Sequence, residues 1–245
     1  MGPREGAMAK SSPKSFPAPS VVLSVGGSLL NDGRPNPLMA EVLANVMKET
    51  GLSLGAVCGG GKQAREAANL AREKSGSEFE ADMAGIAVTH LNAEALRQAL
   101  GGQSGGAGAK IFIDFIEARK QVGKQKFIVM GGTIPGITTD ADSALLAEAI
   151  GAKRLVNVSN TAIYDSDPRK NPNARKYDTM SYEQLIALAN KSDQRKAGTH
   201  FVFDMLACSL IARSNIETHF VDGRDGAQLR AAILGQKHTG TVVRR

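Results

Sequence analysis

Three consecutive glycines, Gly59-Gly60-Gly61, run straight into a helical pattern whose first turn carries Lys62 and Arg65. Glycine lets backbone amides come close to a ligand's oxygens. A helix start adds unpaired N–H groups and the positive end of the helix dipole. Cations are unfavourable at that end, by roughly 0.3–1 kcal/mol each. Lys62 and Arg65 are three residues apart and share one helical face. A bound anion explains their placement. The plainer alternative is a pair of solvated cations offset by Glu66 and Glu73.

Two more apolar runs end the same way, in Gly26-Gly27-Ser28 and Gly131-Gly132-Thr133. One such turn is ordinary; three on one sheet edge point to a shared phosphate-binding rim. It is not a P-loop, because Ala56 and Gln63 stand where that motif needs Gly and Ser or Thr. Gly59-x-Gly61-x-x-Ala64 fits a dinucleotide fingerprint loosely, but Asp82 follows in more helix and not at a strand end. The stretch "GGTIPGITTDADSALLAEA" places Thr138, Thr139 and Asp140 ahead of an Ala/Leu helix. These residues are a sufficient N-cap. The glycine- and proline-bent loop before them calls for more, and its amides, hydroxyls and carboxylate suit a heterocycle edge and a sugar. Asp204 opens the helix "DMLACSLIARS", as an N-cap or as the organiser of a metal or reactive phosphate.

The elements that must position these residues alternate. Strands are expected at "SVVLSV", "LGAVCG", "KIFI", "KFIVMGG", "RLVNVS", "ETHFVDG" and "TGTVV". Helical spacing falls in "LMAEVLANVMKET", "KQAREAANLAREK", "EADMAGIAVTHLNAEALRQAL", "FIEARKQV", "DADSALLAEAIGA", "SYEQLIALAN", "DMLACSLIARS" and "AQLRAAILG". A polar stretch from Asn160 to Asp178 reads as a loop or small hairpin. Continuous apolar strands alternating with helices mean a mainly parallel sheet covered on both faces. In such sheets ligands bind beyond the carboxyl ends of the strands, where the glycine turns lie. Residues 21–245 read as one domain, and residues 1–20, rich in Pro, Ser and Lys, as a disordered extension.

Composition removes several function classes. The net charge of +6 is scattered, aromatics are 4% and Trp is absent, so neither a backbone-tracking stripe nor a base-stacking platform is present and no nucleic-acid partner is expected. The longest apolar runs fall short of a membrane span, and residues 1–20 lack a signal-peptide apolar region. Cys58 and Cys208 have no metal-ligand spacing and read as reduced packing residues, consistent with a cytoplasmic protein.

Taken in order, "VGGSLL", "CGGGKQAR", "DMAGIAVTHLNAEAL", "GGTIPGITTDADSALLAE", "IYDSDPRKNPNARKYDTMS", "VFDMLACSLIARS" and "GQKHTGTVV" resemble the UMP kinases of the amino-acid-kinase superfamily, nearest the archaeal-type branch. The resemblance runs from Val21 to Val243. It implies a three-layer αβα sandwich, a homohexamer, and transfer of the γ-phosphoryl of ATP to UMP with Mg²⁺, in pyrimidine nucleotide biosynthesis. It names no protein ligand for the metal. By the same resemblance Gly26, Gly27, Ser28, Gly61, Arg65, Ser159, Tyr164 and Asp167 bind ATP. Gly60, Asp82, Ile134, Pro135, Gly136, Ile137, Thr138, Thr139 and Asp140 bind UMP. Lys62, Arg65 and Asp204 act on the reacting groups.

Three positions depart from the family's pattern. Ser24 stands where many superfamily members carry a lysine aimed at the moving phosphoryl. The adenosine-side segment reads "VSNTAIYDSDP", which either has Thr161 where Asp is usual or is one residue short, and His90 stands where relatives often have Arg. Two other functions compete: a superfamily kinase acting on an amino acid or carbamate, and a nucleotide-binding assembly protein without transferase activity. The TTDAD loop and Asp82 favour a nucleotide acceptor over the first. Turnover discriminates the second.

Overall fold

The computed structural model describes residues 15–166, 168, 170–192 and 203–245. Its described elements run β1 (Val21–Val25), α1 (Gly27–Leu30), α2 (Pro37–Glu49), β2 (Leu54–Cys58), α3 (Gly61–Ser75), α4 (Glu78–Ala99), α5 (Phe115–Arg119), β3 (Phe127–Met130), α6 (Thr139–Ile150), β4 (Arg154–Ser159), β5 (Thr179–Met180), α7 (Tyr182–Ser192), α8 (Met205–Arg213), β6 (Glu217–Asp222), α9 (Gly226–Leu234) and β7 (Thr241–Val243). The sheet has the order β3-β2-β1-β4-β6-β7-β5, parallel except for β6 against β7.

Alternation along β1 sorts the core into two layers. Val22 faces a cluster with Ala144, Leu155, Cys208 and Phe220, whereas Val21, Leu23 and Val25 face Leu43, Met47, Leu96 and Leu229. Helices α5 to α8 therefore cover one face, and α2, α4 and α9 the other. β1, β2 and β3 are buried on both sides, which is why they read as largely apolar runs. The expected three-layer architecture is present.

Two expectations change. "KIFI" is not a strand: Phe112 makes a single bridge to Met130, and Ile113 is 58% exposed, so no continuous ladder forms. A two-residue strand, β5, forms just after the polar stretch with no alternation to announce it; it pairs with β7. The 160–178 stretch closes as a hairpin through an antiparallel bridge between Tyr164 and Lys176. Before β1, the Phe16 amide donates to Gly123 O at 2.9 Å, and Ser20 O accepts from the Lys153 amide at 3.1 Å. No described helix is long and apolar enough to cross a membrane.

Candidate functional site

Strand order decides where the site lies. The chain moves from β1 to β2 and β3 on one side, then returns to β4 and β6 on the other. The switch in direction therefore falls at the carboxyl end of β1. There Gly26 and Gly27 end the strand, and Gly59–Gly61 end β2 beside it. The two turns interlock. A Cβ on Gly27 would lie 2.0 Å from the Gly61 amide nitrogen, a distance no side chain tolerates. Gly61 itself has φ +69°, in the left-handed region. The third turn joins through Thr139, whose side chain would be the neighbour of a Cβ on either Gly59 or Gly132.

Helix caps distinguish this place among the described helices. Asn36, Ser77, Asp114, Thr138, Asp204 and Asp225 cap α2, α4, α5, α6, α8 and α9 with side-chain oxygens, and Ser181 Oγ accepts from the Gln184 amide in α7. Helices α1 and α3 start instead at Gly26 and Gly60, with no side-chain cap and no acidic residue in the first turn. Their free N–H groups and positive dipole ends are the ones left over for an external anion. Lys62 and Arg65 both stand exposed on the first turns of α3. Lys62 Nζ is 3.9 Å from Glu66, and Arg65 makes no ion pair with any described residue.

A crevice flanks the rim on each side. The first, about 240 Å³, is lined by Gly60, Ala81, Asp82, Ile86, Thr89, Gly132, Ile137, Thr138 and Thr139 among others. It gathers Gly60, Asp82, Ile137, Thr138 and Thr139 from the expected UMP set. Ile134, Pro135, Gly136 and Asp140 do not line it; Gly136 instead donates its amide to Asp82 Oδ2 at 2.9 Å. The second, about 280 Å³, lies beyond β4 and β6, between Thr161, Tyr164, Lys176, Asp222, Asp225, Gln228 and Thr239. Tyr164 is there as expected. Ser159 sits one residue outside, its hydroxyl donating to Thr161 O at 3.1 Å. Asp167 lies outside the described residues. Lys176, Asp222, Asp225, Gln228 and Thr239 were not legible as site residues, since each falls at a strand end, a cap, a helix turn or a loop that sequence explains without a ligand.

Three carboxylates stand near the rim, each with its own partners, and the charge of Asp204 acts on both Asp140 and Asp142. Asp204 caps α8 through the Ala207 amide at 2.9 Å and accepts a short hydrogen bond from the Thr138 hydroxyl. Phe203, 1% exposed, packs edge-on against Phe220 at 5.3 Å between centroids and holds this helix start to β6. Asp140 accepts from Ser24 Oγ at 2.7 Å and from Asn157 Nδ2 at 3.0 Å. Burial pushes its carboxyl up to about 7; the Ser24 and Asn157 bonds oppose that shift and the Asp204 charge adds to it. Asn157 Oδ1 is buried with no partner. Asp142, fully buried, accepts from Thr133 Oγ1 at 2.6 Å and from the Thr133 amide at 3.2 Å. Burial raises it to about 6 against those two bonds. Cys58 and Cys208 are buried free thiols held protonated by desolvation, Cys208 at about 12. They are packing residues.

The pattern of the amino acid kinase family matches residues 19–222. The uridylate kinases of Pyrococcus abyssi and Archaeoglobus fulgidus are each 40% identical to this chain. The alignments cover 91% of it and 98% and 99% of those proteins. The crystal structure of uridylate kinase from Archaeoglobus fulgidus superposes at TM-score 0.80 with 37% identity, covering 91% of this chain and 99% of that one. The UMP kinase from Bacillus anthracis superposes at TM-score 0.76 with 22% identity, a likeness of fold.

Proposed function

The chain belongs to the amino acid kinase family, and we propose that, like the uridylate kinases it resembles, it transfers the γ-phosphoryl group of ATP to UMP, giving UDP and ADP. The observation that carries this reading is the pair of side-chain-free helix starts, α1 and α3, meeting at the end of β1 between two crevices. Two nucleotides lying in those crevices would meet phosphate to phosphate over the rim.

In this reading the crevice beyond β4 and β6 takes the donor nucleoside, with Tyr164 beside it and Ser159 at its edge; the resemblance adds Asp167 to this set. Gly27, Ser28 and Gly61 supply amides to the donor phosphates, while Gly26, whose own amide donates to Val158 O at 2.7 Å, gives backbone room beside them. The crevice beyond β2 and β3 takes UMP, with Gly60, Asp82 and the loop from Ile134 to Asp140. A UMP phosphate oxygen attacks the γ-phosphorus, a new P–O bond forms, and the bond to the β-phosphate oxygen breaks, leaving ADP. The nucleophile is already ionised at neutral pH, so no general base is needed. Charge on the moving phosphoryl is the remaining problem, and Lys62, Arg65 and the rim amides meet it by preorganised electrostatics.

The donor set fits a divalent ion held chiefly by phosphates. Among the described residues no group of three or more His, Cys, Asp or Glu gathers as a protein cage. Asp204, with lone pairs left on both oxygens, is the residue that would hold Mg²⁺ beside the phosphates. When bound with ATP, Mg²⁺ neutralises phosphate charge. A cytoplasmic homohexamer follows from the same resemblance; the exposed Leu70, Phe79, Met83 and Leu91 on α3 and α4 supply apolar surface for such contacts.

The test is ADP release from Mg-ATP with UMP, CMP, AMP, GMP, carbamate and several amino acids as acceptors. Turnover with UMP far above the others supports the reading. ATP binding without turnover on any acceptor would replace it with nucleotide holding, and turnover on carbamate or an amino acid would move the acceptor class.

A further inference from the structure

The loop from Gly132 to Thr138 crosses the acceptor crevice, and the structure ties it down at two ends of very different character. At its far end the ties are Gly136 N–H to Asp82 and the Thr138 hydroxyl to Asp204. Both carboxylates are solvent-accessible, and both belong to the groups that the proposed function assigns to UMP, phosphate or metal. Those ties are the ones a ligand would exchange. At its stem the loop is held by side chains of α4 and α6, of which Thr89 also lines the crevice while Asp142 does not. Gly132 N–H donates to Thr89 Oγ1 at 2.7 Å, and His90 Nε2–H donates to Gly132 O at 2.8 Å. Thr133 donates twice to Asp142, at 2.6 Å from its hydroxyl and 3.2 Å from its amide.

Asp142 is an unusual residue to find there. Its position in the first turn of α6 would suit a solvated carboxylate placed for the helix dipole. It is instead fully buried, and both its oxygens turn away from its own helix to the loop stem. Burying a carboxylate is costly unless its lone pairs are taken up, and Thr133 takes one on each oxygen. The neighbouring charged or titratable groups are Asp204 on α8, which opposes its ionisation, and His90 on α4, which favours it.

We propose that Asp142 is a positioning residue for the acceptor site: its paired hydrogen bonds to Thr133 hold the stem of the 132–138 loop in place when ligands take over Asp82 and Asp204. Ile137, farther along the loop, lines the acceptor crevice and depends on that stem for its position. The proposal rests on the acceptor assignment above for its kinetic consequence but not for its structural one.

Amide hydrogen exchange of the free protein and steady-state kinetics, measured on the same variants, test it separately. Asp142→Ala removes both acceptors; Asp142→Asn can keep both contacts, one by donating to Thr133 Oγ1 and one by accepting from its amide. Asp142→Ala should speed exchange across 132–137 at least about tenfold, a factor equal to 1.4 kcal/mol, with β1 and β2 unchanged. It should raise the KM for UMP by a similar factor while the KM for ATP stays within about twofold. Asp142→Asn should restore both readouts. Wild-type exchange in Asp142→Ala, or an asparagine variant as defective as alanine, would overturn the proposal. So would equal rises in the two KM values. If Asp142→Ala fails to fold, Thr133→Val makes the same test from the other partner, with faster loop exchange supporting the proposal and unchanged exchange overturning it. Should no acceptor be phosphorylated at all, the functional reading fails while the exchange data still decide the anchor.

Discussion

Ser24 Oγ donates to Asp140 Oδ1 at 2.7 Å, joining the end of β1 to the first turn of α6 across 116 residues of chain. Where many superfamily members carry a lysine, this protein brings a neutral hydroxyl to a carboxylate that burial holds at about 7.

That carboxyl is raised from 3.8, so its protonated form is the one the fold prefers. The stability it contributes is present below the unfolded value and is lost as pH rises through about 7. Asp140→Asn should therefore gain stability relative to the wild type between pH 5 and pH 8, by at most a few kcal/mol given about 1.4 kcal/mol per tenfold change in proton affinity. Urea denaturation of both proteins at the two pH values reads the difference. A gap that narrows or stays constant would refute the sign.

Arg65 stands exposed without an ion pair to any described residue, so its removal leaves the fold nothing to compensate. Arg65→Ala should keep the melting temperature while cutting UMP phosphorylation by about a hundredfold or more, the scale of one preorganised electrostatic contact. Near-normal turnover would mean that the cation is only solvated surface.

Gly27 can carry no side chain, because its Cβ would meet the Gly61 amide at 2.0 Å. Gly27→Ala is expected to push the two helix starts apart, abolish ATP binding measured by calorimetry, and cost about 1–3 kcal/mol or more as overpacking does. Gly51→Ala is the control. At φ +72° with open space around it, it should cost about 1–2 kcal/mol of conformational strain and leave ATP binding intact.

Asp82 lines the acceptor crevice and already accepts the Gly136 amide. Asp82→Asn should raise the KM for UMP about tenfold, the worth of one hydrogen bond to a charged group, with a smaller effect on ATP. Equal or reversed effects in initial-rate assays would move Asp82 out of the acceptor site.

Much of this is legible in the sequence. Apolar runs such as "VVLSV" and "FIVM" mark doubly buried strands by themselves, because a parallel sheet needs both faces apolar. The glycine turns and the caps at Thr138 and Asp204 are local chemistry, and local chemistry is what sequence spacing records. What spacing does not carry is which distant segments become neighbours. Nothing in "SVVLSV" says that Ser24 will share a register position with Asn157 and face Asp140. Asp142 is by spacing one more acid in a helix's first turn, and only the packing of α6 under the loop makes it a buried anchor. "KIFI" has the composition of a strand but finds one bridge, since pairing partners are set by the sheet and not by the segment. Strand order, with β1 between β2 and β4, was decided by tertiary packing alone. That order brings two helix starts and two crevices to one edge, because hydrogen bonds between strands depend on which backbones meet, a property no single stretch of residues holds.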